Sequence, residues 1–178
     1  PMTRLLQGDV GSGKTVVALY AMLVAVAHDK QAALMAPTEI LARQHAETLS
    51  DWLTASRVNF EVLAGGTSKR ERQALLERIE SGEVDVVMGT HAIIQDDVRF
   101  ADLGLVVIDE QHKFGVKQRA ALRQADHSPH YLVMTATPIP RTVTMTLFGD
   151  LDISTLTELP DGRRGCGGRR SESVDLLD

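Results

Sequence analysis

Eight residues near the start of the chain constrain its fold more than any others. Gly8-Asp9-Val10-Gly11-Ser12-Gly13-Lys14-Thr15 satisfies G-x-x-x-x-G-K-[ST] at every fixed position. The glycines let successive backbone N–H groups turn inward around a phosphate, through dihedral angles closed to other residues. A helix starting at the end of the loop adds its positive pole. Lys14 supplies a mobile charge for the outer phosphates, and the Thr15 hydroxyl is a ligand for Mg²⁺. Such a loop needs a strand before it and a helix after it. Leu5-Leu6 is strand-like, and the run Val16 to Leu23 is helix-like. A glycine-rich turn with an incidental Lys-Thr would not require those flanks. Residues 8–15 are therefore the expected ATP-binding site.

A fold must then be found around this loop. Apolar, strand-like runs occur at residues 5–7, 32–36, 60–63, 84–88, 105–109, 131–135 and 153–156. Several are continuous, such as Leu105-Val106-Val107-Ile108, which suits central parallel strands covered on both faces. The segments between read as helices. Ala42, Ala46, Leu49 and Leu53 recur at spacings of four, three and four and form one helical face. Leu75, Leu76 and Ile79 do the same in a segment rich in Arg and Glu. Ser68 and Glu71 have the spacing of a capping box, and Gly82 stands where that helix should stop. Alternating strands and helices predict an α/β domain with a mostly parallel sheet and helices on both faces.

The fifth run ends in two carboxylates, Asp109 and Glu110. In an open α/β sheet, ligands collect at the carboxyl ends of the strands. Asp109 there is an expected Mg²⁺ site. Glu110, pointing elsewhere, is the expected residue that polarises an attacking water. An acidic helix start would also produce this pair. The phosphate loop upstream favours the catalytic reading, with Glu110, Lys14 and Asp109 as the catalytic set.

Composition narrows the function classes. The chain has 178 residues with 43% apolar content, enough for one globular domain with a substantial core. No apolar run approaches the roughly 20 residues of a membrane span, so no membrane partner is expected. The single cysteine, Cys166, excludes an internal disulfide, and with no secretory leader visible a cytoplasmic location is expected. The net charge of −5 argues against a broad, non-specific DNA-coating surface while leaving room for a few phosphate contacts.

Further blocks extend the pattern. Asp109-Glu110 continues as Gln111-His112-Lys113-Phe114-Gly115-Val116. Residues 35–42 read Met-Ala-Pro-Thr-Glu-Ile-Leu-Ala, and residues 89–92 read Gly-Thr-His-Ala. Residues 134–142 read Met-Thr-Ala-Thr-Pro-Ile-Pro-Arg-Thr. With the phosphate loop these are five ordered blocks. They resemble the first motor domain of superfamily 2 helicases, and more closely the RecG family of ATP-dependent DNA helicases, from the first residue to about residue 163. The transcription-repair coupling translocases are the nearest alternative. They would carry a second Glu after Asp-Glu, where this chain has Gln111-His112.

The resemblance implies a RecA-like phosphate-loop domain over residues 1–163, followed by an atypical tail at 164–178. It implies a motor that uses ATP and Mg²⁺ to remodel branched double-stranded DNA, such as replication forks and Holliday junctions, in repair and recombination. It places Pro37, Thr38, Gly89, Thr90 and His91 toward DNA. It assigns Thr135 and Thr137 to coupling between the nucleotide and DNA. It also implies a wedge domain and a second motor domain as partners in a longer chain. Only seven residues precede Gly8, and after Arg163 the sequence, Gly/Arg-rich to Arg170, departs from the family, so a fragment is expected. As a fragment it would bind nucleotide and turn it over negligibly. The loop at 63–69 is an imperfect form of a family DNA-contact loop. A small-molecule kinase on the same loop is disfavoured, because residues 109–112 and 135–137 have no place in one.

The remaining polar residues read more plainly. No histidine or cysteine cluster has metal-ligand spacing. His45 lies in a polar helix and reads as solvated, and His127 and His130 as turn residues beside Pro129. His112 reads either as part of the coupling set or as a strand-end hydrogen bond. Trp52 reads as core edge. Arg70, Arg72 and Arg78, alternating with Glu71, Glu77 and Glu80, read as a solvated helix face. Arg119 and Arg123, one turn apart, read as surface or DNA contacts.

Overall fold

The computed structural model describes residues 1–95, 97–109, 128–137 and 152–157. Seven strands form one sheet: β1 (Thr3–Gly8), β2 (Gln31–Met35), β3 (Phe60–Leu63), β4 (Val86–Gly89), β5 (Leu103–Asp109), β6 (His130–Thr135) and β7 (Asp152–Leu156). Their order is β3-β4-β2-β5-β6-β1-β7, and every pairing is parallel. All seven expected strands are present, with boundaries moved by a residue or two. The continuous apolar runs became the interior strands β2, β4, β5 and β6, as burial on both faces requires.

Three α-helices, α1 (Lys14–Val26), α2 (Glu39–Trp52) and α3 (Lys69–Glu80), and a short 3-10 helix (His91–Ile94) lie among the described residues. Alternate strand residues feed two cores. On one face Ala18, Leu19 and Met22 of α1 and Leu49 of α2 pack on Leu34, Met88, Val107 and Met134. On the other, Ile79 of α3 packs with Val87, Ile93, Val106 and Val133. The sheet is thus covered on both sides, and the expected inner faces are the buried ones: Ala42 and Leu49 on α2, Leu76 and Ile79 on α3.

Local chemistry fixes the helix ends. The Ser68 hydroxyl accepts from the Glu71 N–H at 3.3 Å, and the Glu71 carboxylate accepts from the Ser68 N–H at 3.1 Å, closing the capping box. The Ser68 hydroxyl and then its N–H, both donating to the carboxylate, hold the Glu71 pKa below its usual value. On the face expected to be solvated, Arg70, Glu71, Glu77 and Glu80 are exposed, while Arg72 and Arg78 are half-buried. Arg72 reaches Asp97 at 2.9 Å, and Arg78 bridges Glu61 at 2.6 Å and Glu83 at 2.7 Å, tying the helix to neighbouring segments. Trp52, expected at the core edge, ends α2 with 47% of its surface exposed.

One buried polar residue stitches the sheet to α3. Gln31, 5% exposed, donates to the carbonyls of Ile79 and Val84 at 2.9 and 2.8 Å and accepts from the Asp102 N–H at 3.2 Å. Both amide hydrogens thus go to backbone carbonyls and the amide oxygen serves a backbone N–H, helping to satisfy polar groups at this junction.

Candidate nucleotide site and coupling edge

β1 is interior, between β6 and β7, and ends at Gly8. Asp9, Val10 and Gly11 turn outward and are exposed. The chain re-enters through Gly11 and Gly13 at φ 82° and 88°, a left-handed conformation that side chains strain to adopt. Gly13 is the N-cap of α1, so Lys14 and Thr15 form its first turn beside the positive pole. No side chain caps this helix end.

Two details describe a cradle. The Ser12 hydroxyl is buried with no hydrogen-bond partner among the described residues, and buried polar atoms rarely go unpaired. The Lys14 ammonium folds back over the loop, donating to the carbonyls of Gly8 at 2.7 Å and Asp9 at 2.8 Å. Left-handed glycines, a helix pole without a side-chain cap, an unpaired hydroxyl and a lysine on its own loop fit a phosphate.

The other expected residues converge on the same edge, each at or just past a strand's carboxyl end. Asp109 closes β5, and Thr135 closes β6, which lies between β5 and β1. Register sets Thr135 beside Gln7 and Met134 beside Asp109. With neighbouring strands about 4.8 Å apart, Asp109 lies roughly 10 Å across the edge from the β1 end, with Thr135 between. Thr135 is 1% exposed, and its hydroxyl bonds the N–H of Thr137 at 3.2 Å and its carbonyl at 3.3 Å, bracing the turn. Glu110 and His112, together with Gln111, Arg119 and Arg123, lie outside the described residues, as do His127 and the tail.

Pro37 and Thr38 follow β2 and are exposed; Thr38 caps α2 by accepting from the Leu41 N–H at 3.3 Å. Past β4, His91 is exposed while Gly89 and Thr90 are buried, so of these three only His91 presents a surface. Gly89 admits no side chain, since a Cβ would stand 2.5 Å from the Leu63 carbonyl. Glu39, the first residue of α2, ties the Thr38 segment to the loop after β3, its carboxylate accepting from the Gly65 N–H at 2.7 Å.

His45 corrects the sequence reading. Its Nε2 lies 2.8 Å from the Asp109 carboxylate, with the side chains only 13% and 17% exposed. Although α2 is polar overall, His45 sits between Ala42 and Leu49 on the turns that face the sheet, and the end of β5 closes over it. Its helix spacing alone contained the signal: i−3 and i+4 are both core positions.

Comparison with known proteins agrees with this arrangement. The DEAD/DEAH box helicase family profile matches residues 3–146. The chain is 57% identical over 167 residues to the ATP-dependent DNA helicase RecG of Pasteurella multocida, covering 92% of this chain and 24% of that protein. It is 55% identical to the RecG of Escherichia coli K12, with the same coverage. The chain thus spans about a quarter of the length of the curated relatives it matches. Among solved structures, RecG bound to a three-way DNA junction matches with a TM-score of 0.77 at 44% identity, covering 92% of this chain and 22% of that one.

Proposed function

From a chain that belongs to the DEAD/DEAH box helicase family, we infer the ATP-binding first motor domain of a longer RecG-like helicase that acts on branched double-stranded DNA. Residues 1–163 form the domain, and a second motor domain and a wedge domain elsewhere in the longer chain complete the machine. The observation that carries this reading is the shared edge. The phosphate loop after β1, Thr135 after β6 and Asp109 after β5 are neighbours in the sheet, and the exposed Thr38 and His91 segments continue along the same side.

The chain's own residues divide the work. Backbone N–H groups of residues 11–15 and the α1 pole bind the β-phosphate, and Lys14 leaves its loop carbonyls for the outer phosphates. Thr15 and Asp109 hold Mg²⁺, which when bound neutralises charge on the phosphates. Glu110 orients the attacking water and takes its proton. The braced turn at Thr135 and Thr137 lies between the nucleotide loop and Asp109, where a change of phosphate state is transmitted. Pro37, Thr38 and His91 supply contacts to the DNA backbone, which position the duplex without reading its sequence.

The test is hydrolysis of Mg·ATP by the full-length protein with and without a four-way DNA junction. Strong stimulation by the junction is expected. Turnover that is indifferent to DNA would overturn the reading and return the loop to some other phosphoryl-transfer reaction.

A further inference from the structure

The His45–Asp109 contact has no counterpart in the function set out above, where α2 contributes only its N-terminal end. Asp109 is acceptor-only when ionised, so at 2.8 Å the ring must carry its proton on Nε2 and donate it. The bond is charge-assisted and largely shielded from water, with both side chains under a fifth exposed. Neither partner can drift easily. Asp109 is fixed by the β5 pairing with β6, and His45 by the seating of Ala42 and Leu49, 1% and 0% exposed, on the sheet. The far end of the same helix is held by the Thr38 cap and by the Glu39 carboxylate on the Gly65 N–H.

We propose that His45 is a positioning residue for the metal site: its Nε2–H holds one oxygen of Asp109 so that the carboxylate presents the other to Mg²⁺ or its water. Hydrogen-bonded partners of metal-binding carboxylates commonly set orientation in this way, and losing one weakens metal affinity about 10- to 100-fold. The arrangement also makes α2 a physical link between Asp109 and the Thr38 segment, two helical turns or about 10 Å away. The proposal rests on the reading of Asp109 as a Mg²⁺ ligand.

The experiment is titration of a fluorescent ATP analogue into the full-length protein at graded Mg²⁺, and again in EDTA, for wild type, His45→Ala, His45→Gln and Lys14→Ala. His45→Ala is expected to raise the Mg²⁺ needed for half-maximal enhancement of binding about tenfold, while affinity in EDTA stays within twofold. His45→Gln, whose amide nitrogen can donate from a similar position, is expected to recover most of that shift. An unchanged Mg²⁺ requirement in His45→Ala overturns the proposal. So does an equal loss in EDTA, which would make the histidine a general structural support. A failure of the function reading looks different: wild type itself would show no Mg²⁺-dependent binding, and Lys14→Ala would change nothing.

Discussion

The Lys14 ammonium donates to the carbonyl of Gly8, six residues back, at 2.7 Å. The charge meant for phosphate is held by the loop that will receive it. Replacing it removes the loop's cationic side chain. Lys14→Ala should weaken nucleotide binding about 10- to 100-fold, the range for hydrogen bonds to charged groups. Hydrolysis by the full-length protein should collapse, while junction binding, measured by gel shift, should largely survive. Unchanged turnover would remove the loop from the mechanism.

Gln31→Leu tests the buried clamp. The substitution keeps volume but takes the Gln31 partner from the Val84 carbonyl and the Asp102 N–H, while the Ile79 carbonyl keeps the Gly82 N–H at 3.2 Å. Each unsatisfied buried group costs about 1–3 kcal/mol, so a loss of roughly 2 kcal/mol or more is expected. Thermal denaturation should show it. A midpoint within a degree or two of wild type would mean that water reaches these groups.

Gly89→Ala tests close packing beside the exposed His91 segment. The added carbon would meet the Leu63 carbonyl at 2.5 Å, and backbone cannot step aside as a side chain can. The edge strand β3 must move, at a cost of about 1–3 kcal/mol. Chemical denaturation should record the loss. DNA-stimulated hydrolysis should fall more than basal hydrolysis, because the displacement begins next to Thr90 and His91.

The capping box predicts an acid-limb effect. Since Glu71 has a depressed pKa in the folded protein, its contribution to stability is present above the unfolded value and is lost as pH falls through the folded one. Ser68→Ala removes the larger of the two causes, the hydroxyl bond, and keeps the backbone N–H. Its destabilisation should therefore be larger at neutral pH and shrink below about pH 4, the unfolded carboxylate range. A constant difference between variant and wild type across pH 3–7, read by urea midpoints, would count against the assigned cause.

Much of this was legible in the sequence for local reasons. Continuous runs such as Leu105 to Ile108 announce interior parallel strands, Ser68 with Glu71 announces a helix start, and the glycine pattern of residues 8–15 admits few conformations. What local pattern does not contain is partnership at a distance. Nothing near Leu5 says that β1 belongs between β6 and β7. Nothing near His45 names Asp109, 64 residues away, and the polar character of α2 points the wrong way. Gly89 and Thr90 carry the same lesson: the motif marks them, but only the assembled sheet reveals that they are buried and that His91 alone faces outward.

The placement of β1 sets an order of events. Its pairing partners, residues 131–135 and 152–156, are made more than a hundred residues after it. Contacts of that sequence separation form late, because loop closure must precede any reward from pairing. While the chain emerges from the ribosome, the phosphate loop hangs from a strand with nowhere to dock. It acquires its shape only when β6 and β7 arrive. Competence to hold nucleotide is then a signal that the strands flanking β1 have been made, and a chain stalled before residue 152 should be unable to capture ATP and should expose an open β-edge to its neighbours.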